Sequence, residues 1–142
     1  MWPDREAARA RALDAIAQST VVVGNREECE VAVGETDPDA AADRLLELGV
    51  HLAIVKRGGE GVLLATGQER CVVPPIPIAV VCGLGAGDAF GGALCLGLID
   101  GWGLERLGRF ANGAGAHVAA RLTCADAMPS VSDIDALLEA DA

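Results

Sequence analysis

A glycine-rich run, CGLGAGDAFGGA at residues 82–93, constrains this chain more than any other stretch. Its glycines Gly83, Gly85 and Gly87 allow a sharp turn with exposed backbone N–H groups, because glycine adopts positive φ at low cost. From Asp88 onward the apolar spacing becomes helical. We therefore expect a turn that leads into a helix N-terminus, where free N–H groups and the helix dipole favour an anion.

Asp88 falls in the first turn of that predicted helix. A carboxylate beside a bound phosphate can accept the proton of an attacking hydroxyl, so one interpretation is a general base for phosphoryl transfer. The alternative is a simple helix cap after an ordinary glycine turn. Gly91 and Gly92 lie inside the helix, where each costs about 1 kcal/mol relative to alanine. That cost suggests close packing or a ligand and favours the functional interpretation.

The same run closely resembles the C-terminal signature of the ribokinase-like (PfkB-type) carbohydrate kinases. In that family a Gly-Ala-Gly-Asp turn forms an anion hole and its aspartate is the catalytic base. The resemblance implies that Gly85, Ala86 and Gly87 form the hole and that Asp88 is the base. The form GLGAGDAFGGAL is most similar to the deoxygluconokinase branch of inositol catabolism, which implies 5-dehydro-2-deoxygluconate as the acceptor.

Cys82 and Leu84 depart from the commoner form of the signature, which carries Asp-Thr before the Gly-Ala-Gly-Asp. In many relatives that aspartate helps to bind a monovalent cation near the anion hole. The resemblance therefore implies ATP and Mg²⁺ as cofactors, but it does not carry potassium activation over to this chain. The later segment CADAMPS at residues 124–130 resembles the family's loop beside the nucleotide.

Asn25 and Glu28 follow a β-branched run at residues 20–23 and resemble the family's Asn-x-x-Glu motif. The resemblance implies that Glu28 acts through water on Mg²⁺ and that Asn25 lies near the nucleotide phosphates. Mg²⁺ takes oxygen ligands and keeps several waters, which suits a carboxylate that does not touch it directly. By itself the motif is equally typical of a helix N-cap followed by an acidic first turn.

Lys56, the only lysine of the chain, opens the glycine-rich segment KRGGEG at residues 56–61. The resemblance implies a nucleotide pocket here, with Lys56 and Gly58 near the phosphates and ribose and Gly61 keeping the turn tight. The alternative is a solvent-exposed turn with charges at the strand ends. Asn112, on a helix dense in small residues, resembles the residue that faces the adenine.

The composition excludes several other classes of protein. The chain has 142 residues, 51% of them hydrophobic, and a net charge of −10 with only 11 Lys and Arg, which argues against nucleic-acid binding. Its five cysteines are odd in number and widely spaced, which suits reduced thiols better than disulfides or zinc. No apolar run suggests a signal peptide or a membrane span, so we expect a cytoplasmic protein. Walker, dinucleotide-binding, zinc-protease and Gly-x-Ser-x-Gly motifs are also absent from the sequence.

Alternating strand and helix periodicities predict an α/β layered sheet with a mainly parallel portion. Helices are predicted at residues 5–17, 38–48, 86–98, 104–120 and 132–140. Strands are predicted at residues 20–23, 51–55, 61–65 and 70–73, and a further apolar run at 76–81 leads into the glycine turn.

The resemblance extends over residues 1–142, beginning near Trp2 and Pro3, but it covers only the second, nucleotide-binding half of the family's three-layer α/β/α sandwich. The N-terminal sheet half, with the sugar-binding residues and the lid, is expected to be absent. The sequence therefore predicts the ATP half of a carbohydrate kinase, with weak or no activity alone. The alternative is a truncated, non-catalytic nucleotide-binding or assembly module. In either case a second copy or another chain is expected to cover the open sheet edge and apolar surface.

Overall fold

The computed structural model describes residues 4–141. Trp2 and Pro3, where the family resemblance begins, lie outside the described residues. The chain divides into two compact units, one ending at Val72 and the other starting at Val73. Within the described residues, no helix is both long and apolar enough to cross a membrane.

The first unit contains three helices and most of a four-stranded sheet. Its helices begin at strong N-caps: the Asp4 carboxylate accepts hydrogen bonds from two N–H groups of the first helix, and Asp37 caps the third. The elements are α1 (Arg5–Ile16), β1 (Val21–Asn25), α2 (Arg26–Val33), α3 (Pro38–Glu47), β2 (Leu52–Lys56), β3 (Val62–Ala65) and β4 (Arg70–Val73). All the strand predictions over these residues and the first two helix predictions are confirmed to within two residues, whereas α2 was not predicted.

The sheet has the order β1-β2-β3-β4. Strands β1 and β2 are parallel, and β2 and β3 are antiparallel. The pair β1 and β2 forms the predicted parallel portion, but the sheet as a whole is mixed. The reason is the short connection at Gly58–Glu60, a single 3₁₀ turn, because a link of this length can join only antiparallel neighbours.

The core of the first unit lies between α2, α3 and one face of the sheet. Alternate residues of β2 and β3 point into it, as expected for strands with a period of two. It is formed by Ile16, Cys29, Val33, Ala41, Ala42, Leu45, Val50, Ala53, Val55, Leu63 and Ala65.

The second unit is built from α4 (Ala86–Ile99), α5 (Leu104–Ala119) and α6 (Val131–Ala140). The apolar run before α4 does not form a strand. Pro74 and Pro75 precede that run and Pro77 lies within it, and each lacks an N–H donor, which disfavours ladder pairing. The run is instead anchored at its end, where the N–H groups of Val81 and Cys82 both donate to the Ala119 carbonyl, at 2.8 and 3.1 Å.

Candidate active site

The predicted anion turn lies directly before α4. Gly85 is the N-cap of this helix and has a φ of 83°. Gly83 and Gly87 do not have positive φ, so only one of the three glycines of the turn requires the left-handed backbone. Gly85 therefore redirects the chain into the helix.

The backbone N–H groups of this turn differ in their partners. The Ala86 N–H donates to the Gly83 carbonyl at 3.2 Å, and the Ala89 N–H donates to the Gly85 carbonyl at 3.0 Å. In the part of the chain that the structure describes, the N–H groups of Gly87 and Asp88 have no backbone acceptor. Free donors at a helix N-terminus are suited to a phosphate oxygen. Of the three residues expected to form the hole, Ala86 thus has its N–H already engaged.

Asp88 is exposed at the third position of α4. Among residues 4–141 its carboxylate makes no hydrogen bond or ion pair, and it does not cap the helix, whose N-cap is Gly85. Asp88 is therefore not the N-cap of α4, contrary to the capping alternative. A free carboxylate in the same helix turn as the unpaired N–H groups of Gly87 and Asp88 is available to a reacting hydroxyl.

A cleft of about 250 Å³ opens beside Asp88. Its walls come from α4, α5, the segment that leads into α6 and α6 itself, and they are apolar apart from Asp88. Met128 and Pro129 of that segment and Ile134 of α6 are among the lining residues. The segment at residues 124–130 therefore contributes to the surroundings of Asp88.

The glycines within α4 behave differently from the expectation. A Cβ added at Gly91 or Gly92 would meet nothing within 4 Å, so nothing in the described structure packs closely on either residue. The close contact lies one turn later, at Gly97, where an added Cβ would be 2.6 Å from Leu107 and 2.8 Å from Trp102. Of the two explanations given for Gly91 and Gly92, close packing is therefore not found among residues 4–141, and a ligand stays a prediction.

Cys124 touches the anion turn, a specific contact that was not predicted, although the resemblance places the segment 124–130 beside the nucleotide. A Cβ added at Gly85 would lie 2.3 Å from the Cys124 Sγ. The thiol thus fills the space where any other residue at position 85 would place its side chain. No sequence spacing links positions 85 and 124, because the contact is created by the packing of α5 against α4.

Asn112 lies on α5 and is half-buried. Its Nδ2 donates to the Pro74 carbonyl at 2.8 Å. The small residues around it pack against neighbouring helices: Gly113 contacts Ile134 of α6, and Gly115 lies 3.3 Å from the Ala86 carbonyl, measured from an added Cβ. The predicted adenine-facing amide is therefore held by a backbone carbonyl in the structure.

In the first unit, Asn25 and Lys56 are register partners at the ends of the parallel strands β1 and β2. Asn25 is the N-cap of α2, and its side chain accepts a hydrogen bond from the Glu28 N–H at 2.8 Å. The Glu28 carboxylate in turn accepts a hydrogen bond from the Asn25 N–H at 2.6 Å. These two hydrogen bonds form a capping box, so Asn25 and Glu28 of the Asn-x-x-Glu motif act as a helix cap in the structure. The capping box also explains why α2 begins at Arg26.

Glu28 also faces the lysine of the neighbouring strand. Its Oε2 lies 4.0 Å from the Lys56 Nζ. Just behind this pair, burial raises the pKa of the Cys29 thiol, and the negative charge of Glu28 raises it further, while Lys56 acts in the opposite direction. The structure thus brings three of the predicted residues together, Asn25, Glu28 and Lys56.

The glycine-rich turn after β2 is held by its backbone. Gly58 and Gly61 both have positive φ, 61° and 86°, and the Arg57 N–H donates to the Gly61 carbonyl at 2.8 Å. Glu60, on this turn, forms ion pairs with both Arg57 and Arg26. The guanidinium groups beside Lys56 are therefore paired with a carboxylate.

The residues present allow only an indirect role toward magnesium. In the described part of the chain, no three His, Cys, Asp or Glu side chains are grouped as a metal site. Glu28 has 58% of its side chain exposed, and its second carboxylate oxygen has no partner among residues 4–141. This fits a water-mediated contact to an ion that is held mainly by substrate phosphates.

The sequence matches the family described as pfkB family carbohydrate kinase over residues 1–131. It is 32% identical over 115 residues to an uncharacterized sugar kinase of Archaeoglobus fulgidus, covering 81% of this chain and 46% of that protein. It is 33% identical over 128 residues to the 5-dehydro-2-deoxygluconokinase of Halalkalibacterium halodurans, covering 87% of this chain and 39% of that protein.

Solved structures give the same result. The crystal structure of a putative ribokinase II from E. coli in complex with ATP and Mg²⁺ matches with a TM-score of 0.86 at 26% identity, over 93% of this chain and 43% of that one. Ribokinase from Thermotoga maritima matches with a TM-score of 0.80 at 30% identity, over 89% of this chain and 44% of that one. The chain thus spans less than half of the length of these relatives. It belongs to the pfkB family of carbohydrate kinases.

Proposed function

We propose that residues 1–142 are the C-terminal, nucleotide-binding portion of a ribokinase-like kinase domain, a three-layer α/β/α sandwich in its full form. Its reaction is phosphoryl transfer from Mg·ATP to a hydroxyl of a sugar or sugar acid, with 5-dehydro-2-deoxygluconate as the acceptor. The observation that carries this proposal is the turn before α4, where two unpaired N–H groups lie beside the unpaired carboxylate of Asp88.

Each part of the turn has a defined task in such a reaction. The N–H groups of Gly87 and Asp88, with the turn at Gly85, hold the negative charge that develops on the transferred phosphoryl group. The Asp88 carboxylate accepts the proton of the attacking hydroxyl. Asn25, Lys56, Gly58, Gly61 and Asn112 bind the nucleotide. Magnesium, held by the phosphates with Glu28 acting through water, neutralises phosphate charge when it is bound.

A second candidate function is a nucleotide-binding module that does not turn over the sugar by itself. Holding the two reactants in line supplies about 7–11 kcal/mol of barrier lowering in well-oriented reactions, so turnover requires polar groups that position the sugar hydroxyl beside Asp88. The cleft beside Asp88 is lined by apolar residues apart from Asp88 itself, which supports this second candidate. The chain spans 39–46% of the curated sugar kinases described above.

The test combines isothermal titration of Mg·ATP with a coupled assay on 5-dehydro-2-deoxygluconate. We expect binding of Mg·ATP, and any turnover should fall by about 10²–10⁴-fold in Asp88→Asn, the range typical of a lost general base. Asp100→Asn is the matched control, because Asp100 is an exposed aspartate at the other end of the same helix. Binding without turnover would favour the module, and the absence of binding would refute the nucleotide site.

A further inference from the structure

Two arginines share one carboxylate beside the glycine-rich turn that follows β2. Glu60, which lies on this turn, accepts a hydrogen bond from the Arg57 guanidinium at 3.2 Å and another from the Arg26 guanidinium. Both contacts use the same carboxylate oxygen of Glu60. Arg26 therefore connects the start of α2 to the turn at residues 58–60.

The two arginines lie at the edge of the sheet where α/β folds bind their ligands. Asn25 and Lys56 are register partners at the carboxyl ends of the parallel strands β1 and β2. Arg26 and Arg57 directly follow this pair along the chain, and open α/β sheets bind ligands at this end of the strands. Because the Arg26 guanidinium contacts Glu60, it already lies against the turn that we propose to bind the nucleotide.

Two guanidinium groups with one carboxylate leave a positive charge without a partner. The neighbouring Glu27 forms no ion pair with Arg26 or Arg57 in the described part of the chain. The chain as a whole carries a net charge of −10, so an anionic ligand is repelled by most of its surface. A local surplus of positive charge attracts such a ligand to this edge of the sheet.

The two arginines differ in their freedom to leave Glu60. The Arg57 side chain is 25% exposed, and its Nε is buried without a hydrogen-bond partner among the described residues, so the fold fixes this side chain. The Arg26 side chain is 44% exposed and that of Glu60 is 55% exposed. Exposed ion pairs of this kind are weak because water screens the two charges. Arg26 can therefore exchange Glu60 for a stronger acceptor.

A phosphate group is such an acceptor. The planar guanidinium of arginine donates two parallel hydrogen bonds to phosphate oxygens. We propose that Arg26 is a further phosphate-binding residue, which moves from Glu60 to a phosphate of Mg·ATP, and that Glu60 competes with the nucleotide for Arg26. The proposal rests on the nucleotide site proposed above. Position 26 is unspecified in the Asn-x-x-Glu motif, so the family resemblance assigns no role to Arg26.

Isothermal titration of the 142-residue chain with Mg·ATP tests this exchange through two substitutions with opposite effects. Arg26→Gln should weaken binding by about tenfold or more, the loss expected for a charge-assisted hydrogen bond. Glu60→Gln should strengthen binding by about two- to fivefold, because it removes an exposed ion pair that competes with the phosphate. An ion pair that only held the turn in place would give weaker binding in both variants.

The double variant shows whether Glu60 acts through Arg26. When Arg26→Gln and Glu60→Gln are combined, the gain should disappear and the affinity should match that of Arg26→Gln alone. Arg26→Lys keeps the positive charge and should recover part of the affinity. Circular dichroism of each variant establishes that a change in affinity does not come from unfolding.

Arg44 and Glu47 provide the matched control, because they form an exposed ion pair on α3, at 2.7 Å. Arg44→Gln and Glu47→Gln should each leave the affinity for Mg·ATP unchanged. Unchanged binding in Arg26→Gln, weaker binding in Glu60→Gln, or a gain that persists in the double variant would overturn the role of Arg26 alone. No binding of Mg·ATP by the unsubstituted chain would refute the nucleotide site itself and this role with it.

Discussion

Gly85→Ala tests whether the anion turn depends on both a left-handed backbone and the contact with Cys124. Gly85 has a φ of 83°, a conformation that costs a non-glycine residue about 1–2 kcal/mol. The added Cβ would lie 2.3 Å from the Cys124 Sγ, and overpacking of this kind costs about 1–3 kcal/mol. We therefore expect the free energy of unfolding to fall by about 2–5 kcal/mol, the sum of the two costs.

Gly101→Ala separates the two contributions. Gly101 also has positive φ, 68°, but a Cβ there would meet nothing within 4 Å. This control reports the backbone cost alone, including the small gain from a less flexible unfolded chain that any glycine-to-alanine change brings. The excess cost of Gly85→Ala over Gly101→Ala is then the contact with Cys124.

A double-mutant cycle with Cys124→Ala measures the same contact independently. Without the sulfur, the nearest atom to the new Cβ is the Cβ of residue 124 at 3.4 Å, an ordinary contact distance. The coupling free energy should be about 1–3 kcal/mol, taken from urea unfolding followed by circular dichroism. Equal costs for Gly85→Ala and Gly101→Ala, or a coupling near zero, would refute the argument.

Three further sets of substitutions test the packing of α4, the capping of α2 and the titration of His117. Gly97→Ala should destabilise the chain by about 1–3 kcal/mol, because the new Cβ would lie 2.6 Å from Leu107. Gly92→Ala should instead stabilise the chain by up to about 1 kcal/mol through helix propensity. Thermal unfolding shows whether the melting temperature falls in the first variant and rises in the second. Asn25→Ala should cost about 1 kcal/mol through loss of the α2 cap, and Asn25→Asp, which retains a capping oxygen, should not. Burial and the nearby Arg121 lower the pKa of His117, so the unfolded chain binds a proton at His117 more readily than the folded chain does. The free energy of unfolding should therefore decrease as the pH falls below about 6.5, the ordinary histidine pKa. His117→Gln should remove this part of the pH dependence, and an unchanged pH profile in that variant would contradict the argument.

Local signals in the sequence were enough to predict most elements of the fold. The helix that begins at Pro38 has an aspartate cap, a proline in its first turn and a glycine just beyond its end, and its limits were predicted to within one residue. Strand β4 was predicted with its observed limits, residues 70–73. Capping and turn residues act over a few positions, so a single sequence contains the information needed to find them.

The errors arose where one local pattern was compatible with two structures. The Asn-x-x-Glu motif is compatible with a helix cap, but α2 was not predicted, because its eight residues REECEVAV begin with three charged residues and end with three apolar ones and so show no long helical stripe. The run at residues 76–81 is apolar enough for a strand, yet Pro77 within it and the two prolines before it lack N–H donors and disfavour pairing. These outcomes depend on hydrogen-bond partners, which hydropathy does not describe.

The site residues were identifiable as a set, but their contacts were not. Nothing in the sequence distinguishes Gly85, which needs positive φ, from Gly83 and Gly87, which do not. The contact between Gly85 and Cys124 joins positions 39 apart and depends on how α5 packs. Tertiary packing, rather than the motif, decides which glycine is indispensable.

The proposed nucleotide-binding residues differ in the hydrogen bonds and ion pairs that they must break in order to bind a ligand. The N–H groups of Gly87 and Asp88 have no backbone acceptor within residues 4–141, so a phosphate gains their hydrogen bonds without breaking others. Lys56 lies 4.0 Å from the exposed Glu28, and such exposed ion pairs are worth about 0–1 kcal/mol. Asn112 already donates to the Pro74 carbonyl, so an adenine must use its remaining N–H or its oxygen. The phosphates, rather than the base, should therefore dominate the affinity of this chain for ATP.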